Sequence, residues 1–346
     1  MKNNKFIVWL GAFLLLWAIS AEAVIVPNLY VVNLPVADFS TQSRQNAVQE
    51  ALQQVLIKVS GNTEIAILPA VKATLTTANS IVDSYSYTNN DQNGLFLKIN
   101  FNPKSIQQIL SNTNQALWGE ERPLLLVWLD VTNNILTNNS NNAINTALQD
   151  NAKRLGLPIM LPAMDLQDLN DISTNDIEQL NLTAIKSASK RYNVNTILAG
   201  SLHQTPPDNW QSSWSLLING KVIHWDINGN NLNQILTTVT NNIAGELAAR
   251  LAVLSNSNVH NQIKILVTGI TGLNQYADVI KYLQSLNTVT QVKLIDVGPN
   301  YITLQVTSLD GQEKLTNIIN LDHKLIADQT ATNNTNVDLT YHWATT

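Results

Sequence analysis

Apolar residues recur at helical spacing along SRQNAVQEALQQVLIKVSGN, which spans residues 43–62. The opposite face carries mainly glutamines, and the apolar stripe consists of Ala47, Val48, Ala51, Leu52, Val55, Leu56 and Val59. Ser40 or Thr41 can accept hydrogen bonds from the first free N–H groups, and Gly61 can take the left-handed conformation just past the end. A helix that lies on a bilayer normally has a polar face rich in lysine and arginine. The pattern therefore predicts a helix packed into a protein core.

Shorter apolar runs predict strands on both sides of this helix. The strands are expected at residues 29–36, 81–88 and 95–101, and a further short helix follows Pro103. The order β-α-β-β-α predicts a small α+β sandwich over residues 24–115, in which the long helix covers one face of the sheet.

Residues 122–254 are expected to form a central, mixed-sheet α/β unit. Strands are predicted at 124–131, 157–161 and 195–203, with helices near 141–155 and 176–191 and a long helix near 230–254. Within this unit, WSLLINGKVIHW contains Asn219-Gly220, the strongest short signal for a hairpin turn because both residues tolerate positive φ. A two-residue turn there pairs Trp214 with Trp225, Leu216 with Ile223 and Ile218 with Lys221.

The last part of the chain predicts a third unit over residues 261–346. The stretch 255–258, SNSN, is expected to be a linker. Strands at 262–268, 289–297 and 301–308, helices at 272–286 and 311–319, and a final strand within 337–343 give the order β-α-β-β-α-β of a ferredoxin-like sandwich. The predicted fold class is therefore α+β, built from small α/β sandwiches in series.

Residues 1–23 have the layout of a cleavable secretory signal. Lys2 and Lys5 precede an apolar run over 6–19, and Ala21-Glu22-Ala23 supplies small residues at the −3 and −1 positions. The alternative, an uncleaved anchor, needs about 20 apolar residues to span a bilayer, which is more than this run has. We expect cleavage near Ala23 and a periplasmic location.

Composition narrows the choice of partner. The chain has 346 residues, a formal net charge of −5 and no cysteine. An acidic balance argues against nucleic acid or an anionic lipid surface as partner, since both require clustered lysine and arginine. The absence of cysteine excludes disulfides and thiol chemistry. No later stretch is long and apolar enough to predict a transmembrane segment.

The pattern of reactive residues predicts neither a catalytic centre nor a cofactor. His203, His224, His260, His323 and His342 are never three or four residues apart, so no helical metal-ligand pair exists and no metal site is expected. A hydrolase remains an alternative because Ser201 and His203 alternate on one strand, but the GxSxG elbow is missing.

Two loops are weak candidates for ion binding. Gly269-Ile270-Thr271-Gly272 could present free N–H groups to an anion, although a tight strand-to-helix turn explains the glycines equally well. The acidic stretch with Asp165, Asp168, Asp171 and Asp176 could hold Ca²⁺, but its spacing fits no EF-hand. We expect a solvated loop that caps the next helix.

Trp210, Trp214 and Trp225 allow two interpretations. Trp214 and Trp225 can form a cross-strand pair buried under the long helix. Alternatively, the three indoles form a platform on which a sugar or a partner stacks.

The ordered motifs LPVAD, SRQNAVQEALQQVLIKVSGN, ERPLLLVWLDV, LGLPIMLPAMDLQD, ILAGSL and a closing L-x-Y-x-W resemble the domain-of-unknown-function family 2066. The matching positions of the first helix are Arg44, Ala47, Ala51, Leu52, Val55, Leu56, Lys58, Val59, Ser60, Gly61 and Asn62, and Ile57 departs from the pattern. The resemblance implies an exported protein of gamma-proteobacteria and supplies no activity.

Together these patterns predict a non-catalytic, cysteine-free periplasmic protein. We expect it to bind other envelope proteins or peptidoglycan as a scaffold. The alternative is a carbohydrate- or small-ligand-binding module that uses Trp210, Trp214 and Trp225, and the third possibility is a hydrolase.

Overall fold

A computed structural model describes residues 24–90, 94–137, 140, 143–205, 209–218, 220–254, 260–321, 324–328 and 337–344. The predicted secretory leader, the linker at 255–258, Asn219 and His323 lie outside the described residues. The described chain is α+β, with small α/β sandwiches in series, which confirms the predicted fold class.

The first unit is built on the predicted amphipathic helix. Its strands are β1 (Val24–Ile25), β2 (Val31–Pro35), β3 (Val82–Asn90) and β4 (Gly94–Phe101), and its helices are α1 (Thr41–Ser60), α2 (Pro69–Leu75) and α3 (Pro103–Asn112). β2, β4 and β3 form an antiparallel sheet in that order, and the apolar stripe of α1 is buried on it. Ser40 Oγ accepts from Ser43 N at 3.1 Å, and Gly61 ends the helix at φ 67°.

Helix α2 has no counterpart among the predicted elements. Pro69 opens it, and it is seven residues long. Two turns are too short to establish a helical period in the sequence, so the apolar positions of α2 are indistinguishable from a loop.

The central unit is a mixed sheet covered on both faces. The strands are β5 (Glu121–Arg122), β6 (Leu125–Val131), β7 (Asn134–Ile135), β8 (Ile159–Met160), β9 (Thr196–Thr205), β10 (Asn209–Ile218) and β11 (Lys221–Asp226). The helices are α4 (Ala143–Leu155), α5 (Leu166–Asp171), α6 (Thr174–Glu178), α7 (Leu182–Ser189) and α8 (Leu232–Leu251). The sheet order is β11-β10-β9-β6-β7, and β6 runs parallel to β9 and to β8. The hairpin register Trp214–Trp225, Leu216–Ile223 and Ile218–Lys221 is confirmed.

Two predictions for this unit are wrong. The expected single helix near 176–191 is divided into α6 and α7, because the chain turns at Leu180, whose φ is 51°, and Asn181 caps α7. The acidic segment is not a solvated loop, because part of it is helix α5 and Asp168 is fully buried, although Asp165 caps a helix as expected. The Asp168 carboxylate accepts hydrogen bonds from residues distant in sequence, so the local sequence pattern does not indicate its burial.

The C-terminal unit has the predicted β-α-β-β-α-β order, with a short strand between its second helix and its last strand. Its elements are β12 (His260–Thr268), α9 (Leu273–Ser285), β13 (Val289–Gly298), β14 (Tyr301–Leu309), α10 (Gly311–Ile319), β15 (Leu325–Ala327) and β16 (Leu339–Trp343). The sheet order is β13-β14-β12-β16-β15, and β12 and β16 are parallel.

The hydrophobic cores differ in how separate they are. The first unit has a core of its own, whereas the core under α4 and α8 continues into the C-terminal unit through the packing of α10 on α8. A smaller core lies on the other face of the central sheet, beneath α5–α7. The unit boundaries at 115/122 and 254/261 stay a prediction. Among the described residues, no helix is long and apolar enough to cross a membrane.

Candidate ligand-binding cleft

Arg122 organises the junction between the first and central units. Its side chain is fully buried, and its guanidinium donates to the Lys58 carbonyl at the end of α1 at 2.7 Å. It also donates to the Leu155 and Gly156 carbonyls at the end of α4, at 2.8 and 3.0 Å. A cation near the last carbonyls of two helices is favoured by both helix dipoles. Arg122 therefore holds α1 and α4 together without a carboxylate partner in the described chain.

Trp118 completes this junction from the linker between the units. Its ring centroid lies 3.9 Å from the Arg122 guanidinium carbon, and its backbone N–H donates to the Val59 carbonyl at 2.6 Å. Burial lowers the pKa of Arg122 to about 9. The carbonyl groups accept hydrogen bonds from its protonated guanidinium.

Gly61 brings the end of α1 against α8. A side chain at this position would place its Cβ 2.2 Å from the Cβ of Ala248 and 3.1 Å from the Ala244 carbonyl oxygen. The residue also has φ 67°, which side chains rarely adopt. Glycine is required here both for the helix cap and for the close approach of the two units.

A cleft opens next to this contact, between the end of α1 and the outer surface of α8. Its volume is about 520 Å³. We call it the α1–α8 cleft; it is lined by Ser60–Glu64, Gln115, Ala116, Trp225, Asn241, Asn242, Gly245, Glu246, Ala248, Ala249 and Ala252. Clefts between units are a common location for small-molecule sites.

Only some of the polar side-chain groups that line the cleft form hydrogen bonds within the described protein. Asn62 Nδ2 donates to Gln115 Oε1 at 3.1 Å, which orients both amides. Asn241 Oδ1 accepts from Arg154 Nη2 at 3.0 Å, so the amide nitrogen of Asn241 keeps its donors. Asn242 forms no side-chain hydrogen bond within the part of the chain that the structure describes. These amides can serve a ligand without breaking an internal bond.

The charges of the cleft are mostly neutralised. Arg250 forms an ion pair with Glu246 at 2.5 Å, one helical turn away on α8. Glu64 is exposed at the rim. No lysine or arginine lines the cleft among the described residues. The cleft is therefore suited to a polar ligand without a negative charge.

The three tryptophans occupy different environments. Trp214 is fully buried beneath α8 and opposite Trp225 in the hairpin. Trp210 and Trp225 are half-buried and pack on the same core, and Trp225 also lines the α1–α8 cleft. A platform made of all three indoles stays a prediction; in this structure the ring that meets a cleft is that of Trp225.

Ser201 and His203 lie on β9, and the structure adds two acids beside them. Asp130, at the end of the parallel neighbour β6, pairs in register with Ser201. His203 Nε2 lies 3.6 Å from Asp130 Oδ2 and 3.5 Å from Glu178 Oε1 of α6. This ring nitrogen faces two carboxylates, so the ion-pair geometry gives no support to Ser201 as an activated nucleophile.

Asp130 is fully buried, and neither carboxylate oxygen has a hydrogen-bond partner among the described residues. Burial raises the pKa of this carboxyl group, and His203 acts in the opposite direction. Pattern analysis missed Asp130 and Glu178. One feature of the sequence could have indicated Asp130. It lies at the carboxyl end of a strand predicted to be parallel to the strand that carries His203.

The glycine turn before α9 has its N–H groups occupied. Gln275 Oε1 accepts from Thr271 N at 2.7 Å and from Gly272 N at 3.1 Å. Gly269 has φ +84°, and a Cβ there would lie 2.6 Å from the ring of His342. A tight turn accounts for these glycines, and an anion would have to displace Gln275.

The acidic segment is an internal network. Arg191 contacts Asp165 at 2.5 Å and Asp168 at 3.0 Å, and Tyr192 Oη donates to Asp168 Oδ2 at 2.5 Å. The Arg191 hydrogen bond lowers the pKa of Asp165 well below its usual range, while burial and the bond to Asp168 raise that of Tyr192 to about 12. Within the described chain no group of histidine and acidic residues is arranged to hold a metal ion.

Comparison with known families concerns the first unit. Residues 23–119 match a family described as a domain of unknown function (DUF8605). The resemblance to family 2066 is therefore wrong. The glycine of its V-S-G-N motif ends an amphipathic helix as a C-cap, which is a common local structure in unrelated chains. The chain has no match among the curated proteins.

Proposed function

We propose that the protein is exported from the cytosol and acts in the cell envelope as a non-catalytic binding protein that holds a glycan in the α1–α8 cleft. One observation carries this proposal: the half-buried indole of Trp225 shares the cleft with amides that have free hydrogen-bonding capacity. The C–H face of a sugar ring packs on an indole, and its hydroxyls pair with amides and carboxylates. The N-acetylglucosamine units of a peptidoglycan strand are uncharged and have this chemistry.

The other parts of the proposal have separate support. Export is supported by the basic, apolar and small-residue order of residues 1–23. A role without catalysis is supported by the lack of a hydrogen bond between Ser201 and His203 within the described residues, which leaves the serine without a base. No cofactor is part of the proposal.

Calorimetric titration of the purified protein with soluble peptidoglycan fragments and with the neutral tetramer of N-acetylglucosamine tests the cleft. We expect both to bind, with a change in tryptophan fluorescence. Trp225→Phe and Asn242→Ala should each weaken binding by roughly tenfold, since each removes about one good contact.

Trp210→Phe is the matched control, because Trp210 is also half-buried on the same core but does not line the cleft. It should bind both glycans as the unmodified protein does. No binding of either glycan, or equal losses for Trp210→Phe and Trp225→Phe, would refute the cleft as the glycan site.

A second function, docking of another envelope protein, is favoured by strand β13. β13 is an edge of the C-terminal sheet, and Leu294, Ile295 and Val297 are exposed on it. Next to it, Leu273 of α9 is 79% exposed and borders a groove of about 500 Å³ that has no charged lining residue. An edge strand presents unpaired backbone groups, so the occupant is an extended apolar segment of another protein that adds a strand to the sheet.

A photo-crosslinking residue placed at Ile295 in cells tests this second function. The crosslinks should map to an extended, apolar segment of one protein and should disappear with Val297→Lys. The control position is Val222, which is exposed on β11 at the edge of the central sheet. Absence of crosslinks at Ile295, or the same products from both positions, would contradict strand addition.

A further inference from the structure

Three lysines distant in sequence meet at a groove on the other side of the last turn of α1. Lys58 comes from α1, Lys98 from β4 and Lys153 from α4. The groove has a volume of about 670 Å³. We call it the lysine groove, and its remaining lining residues are Val24–Asn28, Val31, Asn33, Gln149, Asp150 and Gly156–Ile159.

None of the three ammonium groups forms an ion pair within the described part of the chain. Asp150 also lines the groove, yet it lies outside ion-pair distance of these lysines. The chain has a net charge of −5, so a group of three unpaired lysines makes this part of the surface positive although the protein as a whole is negative.

Lys58 is held in place without being neutralised. It is half-buried, and its Nζ donates to the Val31 carbonyl at 3.2 Å. Burial, with the nearby charges of Arg122 and Lys153, lowers the pKa of Lys58 to about 8. Gly156 lies between these cations, since a Cβ there would be 2.8 Å from Arg122 Nη1 and 3.2 Å from Lys58 Cγ. The groove thus has one positioned ammonium group beside a second, buried cation.

The rest of the lining is largely apolar. One wall is the start of the described chain, with Val24, Val26 and Pro27, and the other is the turn after α4, with Leu157 and Ile159. A volume of this size is typical of sites that enclose a small organic ligand. A free inorganic ion would leave these walls exposed to water.

We propose that the lysine groove binds an amphipathic anion, whose carboxylate or phosphate group pairs with Lys58 and Lys153 and whose hydrocarbon part lies along the apolar walls. Lys98, at the rim, contributes to attraction at longer range. This site is independent of the glycan proposal, because the two sets of lining residues share no member.

Calorimetric titration with four probes separates the contributions. Decanoate and decyl phosphate have both chain and charge, and inorganic phosphate has charge alone. Decyl maltoside has the chain with an uncharged headgroup, and it is titrated into Trp225→Phe to keep its sugar from the α1–α8 cleft. We expect the two amphipathic anions to bind at least tenfold more tightly than either single-feature probe. The stronger of the two identifies a carboxylate or a phosphate as the headgroup.

Two substitutions and two controls locate the site. Lys58→Met and Lys153→Gln should each weaken decanoate binding by roughly tenfold, the usual effect of losing a charge-assisted hydrogen bond. Lys221→Gln, on the exposed edge strand β11, should leave it unchanged. Trp225→Phe should leave it unchanged as well, so failure here is distinguishable from failure of the glycan site.

Proton uptake gives a readout that a purely structural lysine would not produce. An anion next to Lys58 raises its pKa from about 8, so binding at pH 8 should take up protons, measured as a dependence of the heat on buffer ionisation enthalpy. Uptake should vanish in Lys58→Met. Equal affinity for decanoate and decyl maltoside, or unchanged binding in both lysine variants, would overturn the proposal.

Discussion

The α1–α8 cleft and the lysine groove flank the same turn of α1, yet they differ in how their charges are balanced. In the cleft, Arg250 is paired with Glu246, and Arg154 donates to Asn241. In the groove, Lys58 and Lys153 have no carboxylate partner within the described chain. One junction therefore offers a neutral polar surface on one side and a cationic, apolar one on the other. The net charge of a chain does not determine the sign of a local site.

Arg122 is common to both regions, so its replacement should have the largest effect. Arg122→Met keeps the volume but leaves the carbonyls of Lys58, Leu155 and Gly156 without their donor. We expect the free energy of unfolding in urea to fall by about 3–5 kcal/mol. Arg44→Met, in the first turn of α1 where the half-buried guanidinium lies 5.4 Å from the Tyr85 ring centroid, should change it by less than about 1 kcal/mol. Similar losses for both would show that the junction does not depend on Arg122.

Gly61→Ala tests the contact that closes the floor of the cleft. The new Cβ would meet Ala248 Cβ at 2.2 Å in a backbone conformation with φ +67°. We expect a loss of about 2–3 kcal/mol in urea unfolding, from conformational strain and steric overlap together. Glycan binding should weaken, while decanoate binding in the lysine groove should stay nearly unchanged.

Two further variants separate the two causes. Gly220→Ala has a similar φ of +77° and no atom within 4 Å, so it should show the strain alone, about 1 kcal/mol. Adding Ala248→Gly to Gly61→Ala should recover the steric part. If the double variant loses as much stability as Gly61→Ala and Ala248→Gly added together, the two positions are not in close contact.

Lys58→Met tests how much the half-buried charge of Lys58 in the lysine groove destabilises the folded protein. The folded-state pKa of Lys58, about 8, lies below its ordinary value of 10.5, so the folded state binds fewer protons between these values. The free-energy cost of burying the charged Lys58 side chain is fully present below pH 8 and decreases as the pH rises toward 10.5. Lys58→Met should therefore stabilise the protein by about 1 kcal/mol at pH 7, with a gain that declines above pH 8. Urea unfolding at pH 7 and pH 9.5 measures it, and Lys221→Met, on an exposed strand, should show no such trend.

Sequence pattern predicted what depends on neighbours along the chain. The caps of α1 at Ser40 and Gly61 and the pairing of Trp214 with Trp225 follow from local periodicity and turn chemistry, and both are confirmed. The lysine groove could not be predicted in this way, because its three lysines belong to three elements and each one alone resembles an ordinary surface residue.

Asp130 shows the same limit inside the central unit. The sequence places it at the end of an apolar strand, but only the parallel register of β6 and β9 brings it next to His203. The family resemblance fails for a related reason: short motifs record local caps and stripes, which unrelated chains share.

Asp130→Asn should have the smallest effect, and its sign is informative. Burial raises the pKa of Asp130, so the folded state binds more protons than the unfolded state between the ordinary value of 3.8 and the raised folded pKa, and stability is lost as the pH rises through the folded pKa. Asparagine removes that cost, and we expect a gain of up to about 1 kcal/mol at pH 8 and almost none at pH 3.5. Arg122 donates hydrogen bonds to several carbonyl groups, whereas Asp130 has His203 Nε2 at 3.6 Å, which is beyond hydrogen-bond distance. If Asp130→Asn instead destabilises the protein at pH 8, the positive charge of His203 already compensates the Asp130 carboxylate. Asp130 would then resemble Arg122 as a buried ion with a partner for its charge.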